Sequence, residues 1–119
     1  MALISFSEKE GETWVVGGPA FRQVLEDVLE QCPGDSEMVE RFEWATESSG
    51  LCVDRLSPEL ADRVTNAIRH VTEGILDGTI RSGILDKPYG SPETLELYKQ
   101  VLKKLRDAIP TKPQGLGPD

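Results

Sequence analysis

The stretch SEMVERFEWATESS, residues 36–49, decides the fold, because it fits two periods at once. Read as a helix at about 100° per residue, Met38, Val39, Phe42 and Ala45 cover one side. Glu37, Glu40, Glu43 and Glu47 then form a stripe within about 120° on the opposite side, with Trp44 among them. Read as a strand, Phe42, Trp44 and Thr46 alternate with Arg41, Glu43 and Ala45. Glu47-Ser48-Ser49-Gly50 would then turn into a second strand, Leu51–Arg55. Methionine, alanine and the glutamates favour the helix, whereas Phe42-Glu43-Trp44 before a glycine turn favours the strand. A helix leaves Trp44 exposed between carboxylates; a strand packs it inward beside Phe42.

The flanking segments read more plainly. Leu3-Ile4-Ser5-Phe6 and Thr13-Trp14-Val15-Val16 are β-rich runs around a polar loop that contains Gly11, which predicts a hairpin over about residues 2–6 and 13–16. Gly17-Gly18-Pro19 ends it and opens a helix over about 19–32, with Phe21, Val24, Leu25, Val28, Leu29 and Cys32 on one face. Glu26, Asp27 and Glu30 fall on the other face. Ser57-Pro58 and Ser91-Pro92 each place a serine cap before a proline, opening helices over about 58–77 and 92–109. Residues 79–90 between them read as irregular, with Ile80, Ile84 and Leu85 available to pin the segment to the core. The expected fold class is α+β, helix-dominated: an N-terminal β-hairpin packed with three to four amphipathic helices, the fourth over about 36–48. Residues 1–109 form one compact domain in this reading, and 110–119, rich in proline and glycine, a flexible tail.

Composition narrows the function classes. The 119 residues are 38% hydrophobic and 29% charged, which is globular, and no apolar run approaches a membrane span. The N-terminus lacks the positive start and apolar stretch of a signal peptide. Two cysteines, Cys32 and Cys52, are too few for a disulfide framework and are expected reduced, in a cytoplasmic protein.

Charge is distributed unevenly. Residues 1–59 carry 13 acidic against 4 basic side chains, and residues 60–119 carry 8 against 9. Glu26–Glu47 alone holds eight carboxylates and one arginine. Such a field repels nucleic acid and anionic membranes and speeds association with cationic partners.

Groups suited to catalysis are few. The single histidine, His70, projects with Arg63, Asn66, Glu73 and Asp77, on the side of its helix away from the apolar stripe. No zinc-type spacing of Cys and His occurs, and the carboxylates do not alternate around a glycine as in calcium loops. Val15-Val16-Gly17-Gly18-Pro19 lacks the spacing of a phosphate or dinucleotide loop. No catalytic residue, metal or cofactor is therefore assigned.

The expected function is that of a non-enzymatic, acidic protein-binding module. Its sharper form is an immunity- or antitoxin-type inhibitor that neutralises a basic toxin or nuclease by charge complementarity. The expected interface is Glu37, Glu40, Trp44 and Glu47, with Glu26, Asp27 and Glu30 as an adjoining rim and Tyr89 as a second candidate on a scaffolded loop. The expected partner is a protein with a basic surface, not nucleic acid or membrane. The alternative is an accessory or regulatory subunit, homodimers included, whose acidic face only confers solubility. A small enzyme using His70 is the third reading.

Overall fold

The computed structural model describes residues 1–110. It has the expected helix-dominated α+β architecture, with a small sheet at the N-terminus. Strands β1 (Ala2–Ser5) and β2 (Thr13–Val16) pair antiparallel, with Ala2 opposite Val16 and Ser5 opposite Thr13. Ala2, Ile4, Trp14 and Val16 point into the core while Val15 faces out, the alternation a one-sided sheet requires. The Trp14 indole donates from Nε1 to the carbonyl of Val101 at 3.1 Å, so its one polar group is satisfied as the ring is buried.

Helix α1 (Gly18–Gln31) follows, with Phe21, Val24, Leu25 and Val28 buried. Residues 36–49 then resolve as helix α2 (Ser36–Ser48). Asp35 caps it, its carboxylate accepting from the Met38 N–H at 3.2 Å. Met38, Phe42 and Ala45 form its buried face. The second strand of the competing reading exists as well. Ser49 adopts a left-handed conformation at φ 61°, ending the helix, and Gly50 starts β3 (Gly50–Cys52). β3 pairs parallel with β1, giving the order β2-β1-β3. Residues 42–46 are therefore helix and not strand, and of the expected strand Leu51–Arg55 only its first two residues pair, Val53–Arg55 forming a 3-10 turn.

Helices α3 (Pro58–Asp77) and α4 (Pro92–Ala108) begin as the two Ser-Pro pairs predict. Ser57 accepts from the Leu60 N–H at 3.4 Å and Ser91 from the Thr94 N–H at 3.1 Å. Val64, Ile68, Val71 and Ile75 of α3 meet Tyr98, Leu102 and Leu105 of α4 in the core, together with Phe21 and Phe42. Each large side chain fully buried here contributes about 1.5–3 kcal/mol of favourable transfer free energy.

The segment 79–90 crosses back over the helices and contains a short 3-10 turn, Gly83–Asp86. Ile84 is buried, and Ile80 and Leu85 pack against the core as expected. Two glycines permit this path. A Cβ on Gly74 would overlap the Ile80 side chain, and one on Gly90 would lie 2.5 Å from the Ile84 carbonyl oxygen. Pro110 apart, the expected tail lies outside the described residues.

Candidate functional site

Trp44 stands 65% exposed in the middle of α2. Its neighbours on the helix face are Glu40 and Arg41 one turn back and Glu47 three residues on, all exposed, with Glu43 at the flank. Phe42, two residues away, is 1% exposed, so the helical period alone turns Trp44 outward. Val39, also partly exposed, lies with Glu40 and Glu43 along a shallow depression of about 510 Å³. An aromatic ring rimmed by carboxylates suits cation–π and ionic contact with an arginine or lysine at once.

Glu37 belongs to a different arrangement. Arg63 of α3 reaches Glu37 at 2.8 Å, Asp35 at 3.3 Å and Glu59 at 3.4 Å. This one guanidinium ties the start of α2 to α3. The Met38 N–H and, second, Arg63 hold the Asp35 carboxyl below the usual carboxylate range. Its hydrogen bonds to Glu37 and Asp35 raise Arg63 above its ordinary value. The carboxylates of the stripe that make no ion pair among the described residues are Glu40, Glu43 and Glu47.

The rim on α1 is partly corrected. Glu26 and Glu30 are exposed as expected, and Glu26 pairs with Lys87 at 2.8 Å. Asp27 is not available to a partner: it is 3% exposed. Its carboxylate accepts from the Ser82 hydroxyl at 2.6 Å, the Gly83 N–H at 2.9 Å, the Tyr98 hydroxyl at 2.9 Å and Gln23 Nε2 at 3.0 Å. The segment 79–90 lies over this side of α1 and turns a polar face into an interior one. Four donors replace the water a buried carboxyl loses. Burial first, then the neighbouring Asp27, pushes the Tyr98 phenol well above its ordinary pKa.

Between α1 and residues 81–87 lies a cleft of about 570 Å³, with Gln23 and Asp27 on its wall and Glu26, Glu30, Arg81, Asp86 and Lys87 around it. Arg81 and Asp86 pair at 3.0 Å. Tyr89 is 56% exposed on the loop, beside a smaller apolar groove of about 240 Å³ bounded by Pro19, Ala20, Ile84 and Leu97. Leu97, 65% exposed, lies about 100° around the helix from the centre of the Tyr98, Leu102 and Leu105 stripe.

His70 is exposed on α3. Two groups expected around it are engaged elsewhere, Arg63 as described and Asp77 with Thr79. Cys32 and Cys52 are both free and half-buried. Burial, with Asp35 nearby, pushes the Cys32 thiol up, away from a reactive thiolate. Among the described residues no group of three or more His, Cys, Asp and Glu could hold a metal ion, and no helix is long and apolar enough to cross a membrane.

No protein-family model matches this chain, and comparison with curated proteins and with solved structures finds no match.

Proposed function

We propose that the protein is a non-enzymatic binding module whose α2 face docks a partner protein with a basic surface. The observation that carries this reading is the exposure of Trp44 at the centre of Glu40, Glu43 and Glu47. Trp44 is a large aromatic on the open side of a helix that buries only Met38, Phe42 and Ala45, and tryptophan is enriched in interface hot spots. Carboxylates on a rigid helix steer a cationic partner and mimic a row of phosphates, the chemistry of an immunity- or antitoxin-type inhibitor acting on a nuclease or other basic toxin. The rigid mounting of α2, capped by Asp35 and tied to α3 through Arg63, supports presentation without induced folding.

The test is partner capture from the native host at about 50 and 500 mM salt, conditions that bracket strong and weak screening. A partner of basic surface, retained at low salt, released at high salt and lost with Trp44→Ala, is the expected result. Capture unaffected by both salt and Trp44→Ala would overturn the reading.

Tyr89 and Leu97, exposed beside the apolar groove, favour a second reading, that of a subunit which associates through this side. Sedimentation of the isolated chain across a range of concentrations tests it; a monomer throughout removes the homodimer.

A further inference from the structure

The cleft between α1 and residues 81–87 is built along one polar stripe of the helix. Gln23, Glu26, Asp27 and Glu30 stand at i, i+3, i+4 and i+7 and all line it. Four carboxylates and two cations surround the space. Arg81 is taken by Asp86 and Lys87 by Glu26, which leaves Asp27 and Glu30 outside the ion pairs. The lone pairs of Asp27 are filled by its four donors, so the carboxylate at the cleft that is outside the ion pairs and open to a further donor is that of Glu30.

Gln23 supplies the second observation. It is 3% exposed, and its Nε2 is fixed by donation to Asp27 Oδ1 at 3.0 Å, which settles the orientation of the amide. Its carbonyl Oε1 accepts no hydrogen bond among the described residues. A buried amide oxygen without a donor is uncommon, because the loss of water is not compensated. Gln23 lines a cleft of about 570 Å³, within the size range of small-ligand sites.

We propose that this cleft binds an extended aliphatic cation, one N–H-bearing head donating to Gln23 Oε1 and a second positive group meeting Glu30. The two residues are seven positions apart, about 10 Å along the helix axis, so a ligand with donors at both ends of a short alkyl chain matches the spacing. The site is separate from the Trp44 face and does not depend on its role.

The probe is agmatine, with guanidinium and ammonium ends, beside a short blocked peptide containing one arginine and one lysine; succinate is the anionic control. Amide NMR is read at the Gln23 side chain and the Gly83 N–H. Saturable shifts at these two groups, weakened about tenfold or more by Glu30→Gln and unchanged by Trp44→Ala, are expected. Tighter binding of agmatine assigns the site to a free small cation, and tighter binding of the peptide assigns it to the arginine and lysine side chains of a protein. No saturable shift, equal binding of succinate, shifts confined to α2, or full affinity in Glu30→Gln would each overturn the proposal. Because Glu30 is exposed, its substitution leaves the fold intact and the result readable.

Discussion

The Tyr98 hydroxyl donates to Asp27 Oδ2 at 2.9 Å, joining α4 to α1 across 71 residues of sequence. Ser82 and Gly83 reach the same carboxylate from the crossing segment, so three separate parts of the chain meet at one buried side chain. Hydrogen bonds of this kind contribute modestly when made and cost more when one side is removed.

Asp27→Asn should destabilise the protein by about 1–3 kcal/mol, because an amide nitrogen replaces one of the two acceptor oxygens while the donors stay buried. Tyr98→Phe, which removes one donor and leaves the carboxylate three, should cost less. Urea unfolding of the two variants gives the order directly; equal stability of Asp27→Asn and the parent would remove Asp27 as the pin of residues 79–90.

Gly74 and Gly90 bound the same segment, and their alanine variants should behave differently. At Gly90 the new methyl meets backbone carbonyls of Ile84 and Leu85, which cannot rotate away, and a loss of about 2 kcal/mol or more is expected. At Gly74 it meets the Ile80 side chain. Gly74→Ala combined with Ile80→Ala should therefore be more stable than the sum of the single losses, by about 0.5 kcal/mol or more. Strict additivity in thermal or urea unfolding would contradict the close approach.

Asp35 sets a pH dependence. Its folded pKa lies below its unfolded value of about 3.9, so in the acidic range around these values the folded state binds fewer protons than the unfolded state. The stabilisation is complete above the unfolded pKa and is lost as pH drops through the folded one. Asn also caps helices well, so Asp35→Asn removes the charge facing Arg63 but keeps the cap. The stability gap between parent and variant should be largest near pH 7 and shrink toward pH 3. A gap independent of pH would contradict the Asp35–Arg63 relationship.

Much of this arrangement was legible in the sequence. The Ser-Pro pairs at Ser57 and Ser91 act within one turn of the chain, so the starts of α3 and α4 follow from local chemistry alone. β3 was less legible as a partner of β1: it has three residues and pairs with a strand almost fifty positions earlier, which no local period reveals. Asp27 was misplaced because its burial depends on residues 82, 83 and 98, not on its own helix. Trp44 was legible only on condition that residues 36–48 form a helix, which they do. Gln23 carried no signal beyond its place four residues before Asp27.

The claim that α2 is the binding face is tested most directly by the affinity of the purified partner for two surface variants, Trp44→Ala and Leu97→Ala. Both residues are 65% exposed, so neither change should alter stability by more than about 0.5 kcal/mol. Trp44→Ala should weaken binding by about 2 kcal/mol or more, roughly thirtyfold, while Leu97→Ala leaves it unchanged. Full affinity in Trp44→Ala with loss in Leu97→Ala would place the interface on the loop-and-α4 side and contradict the proposed function.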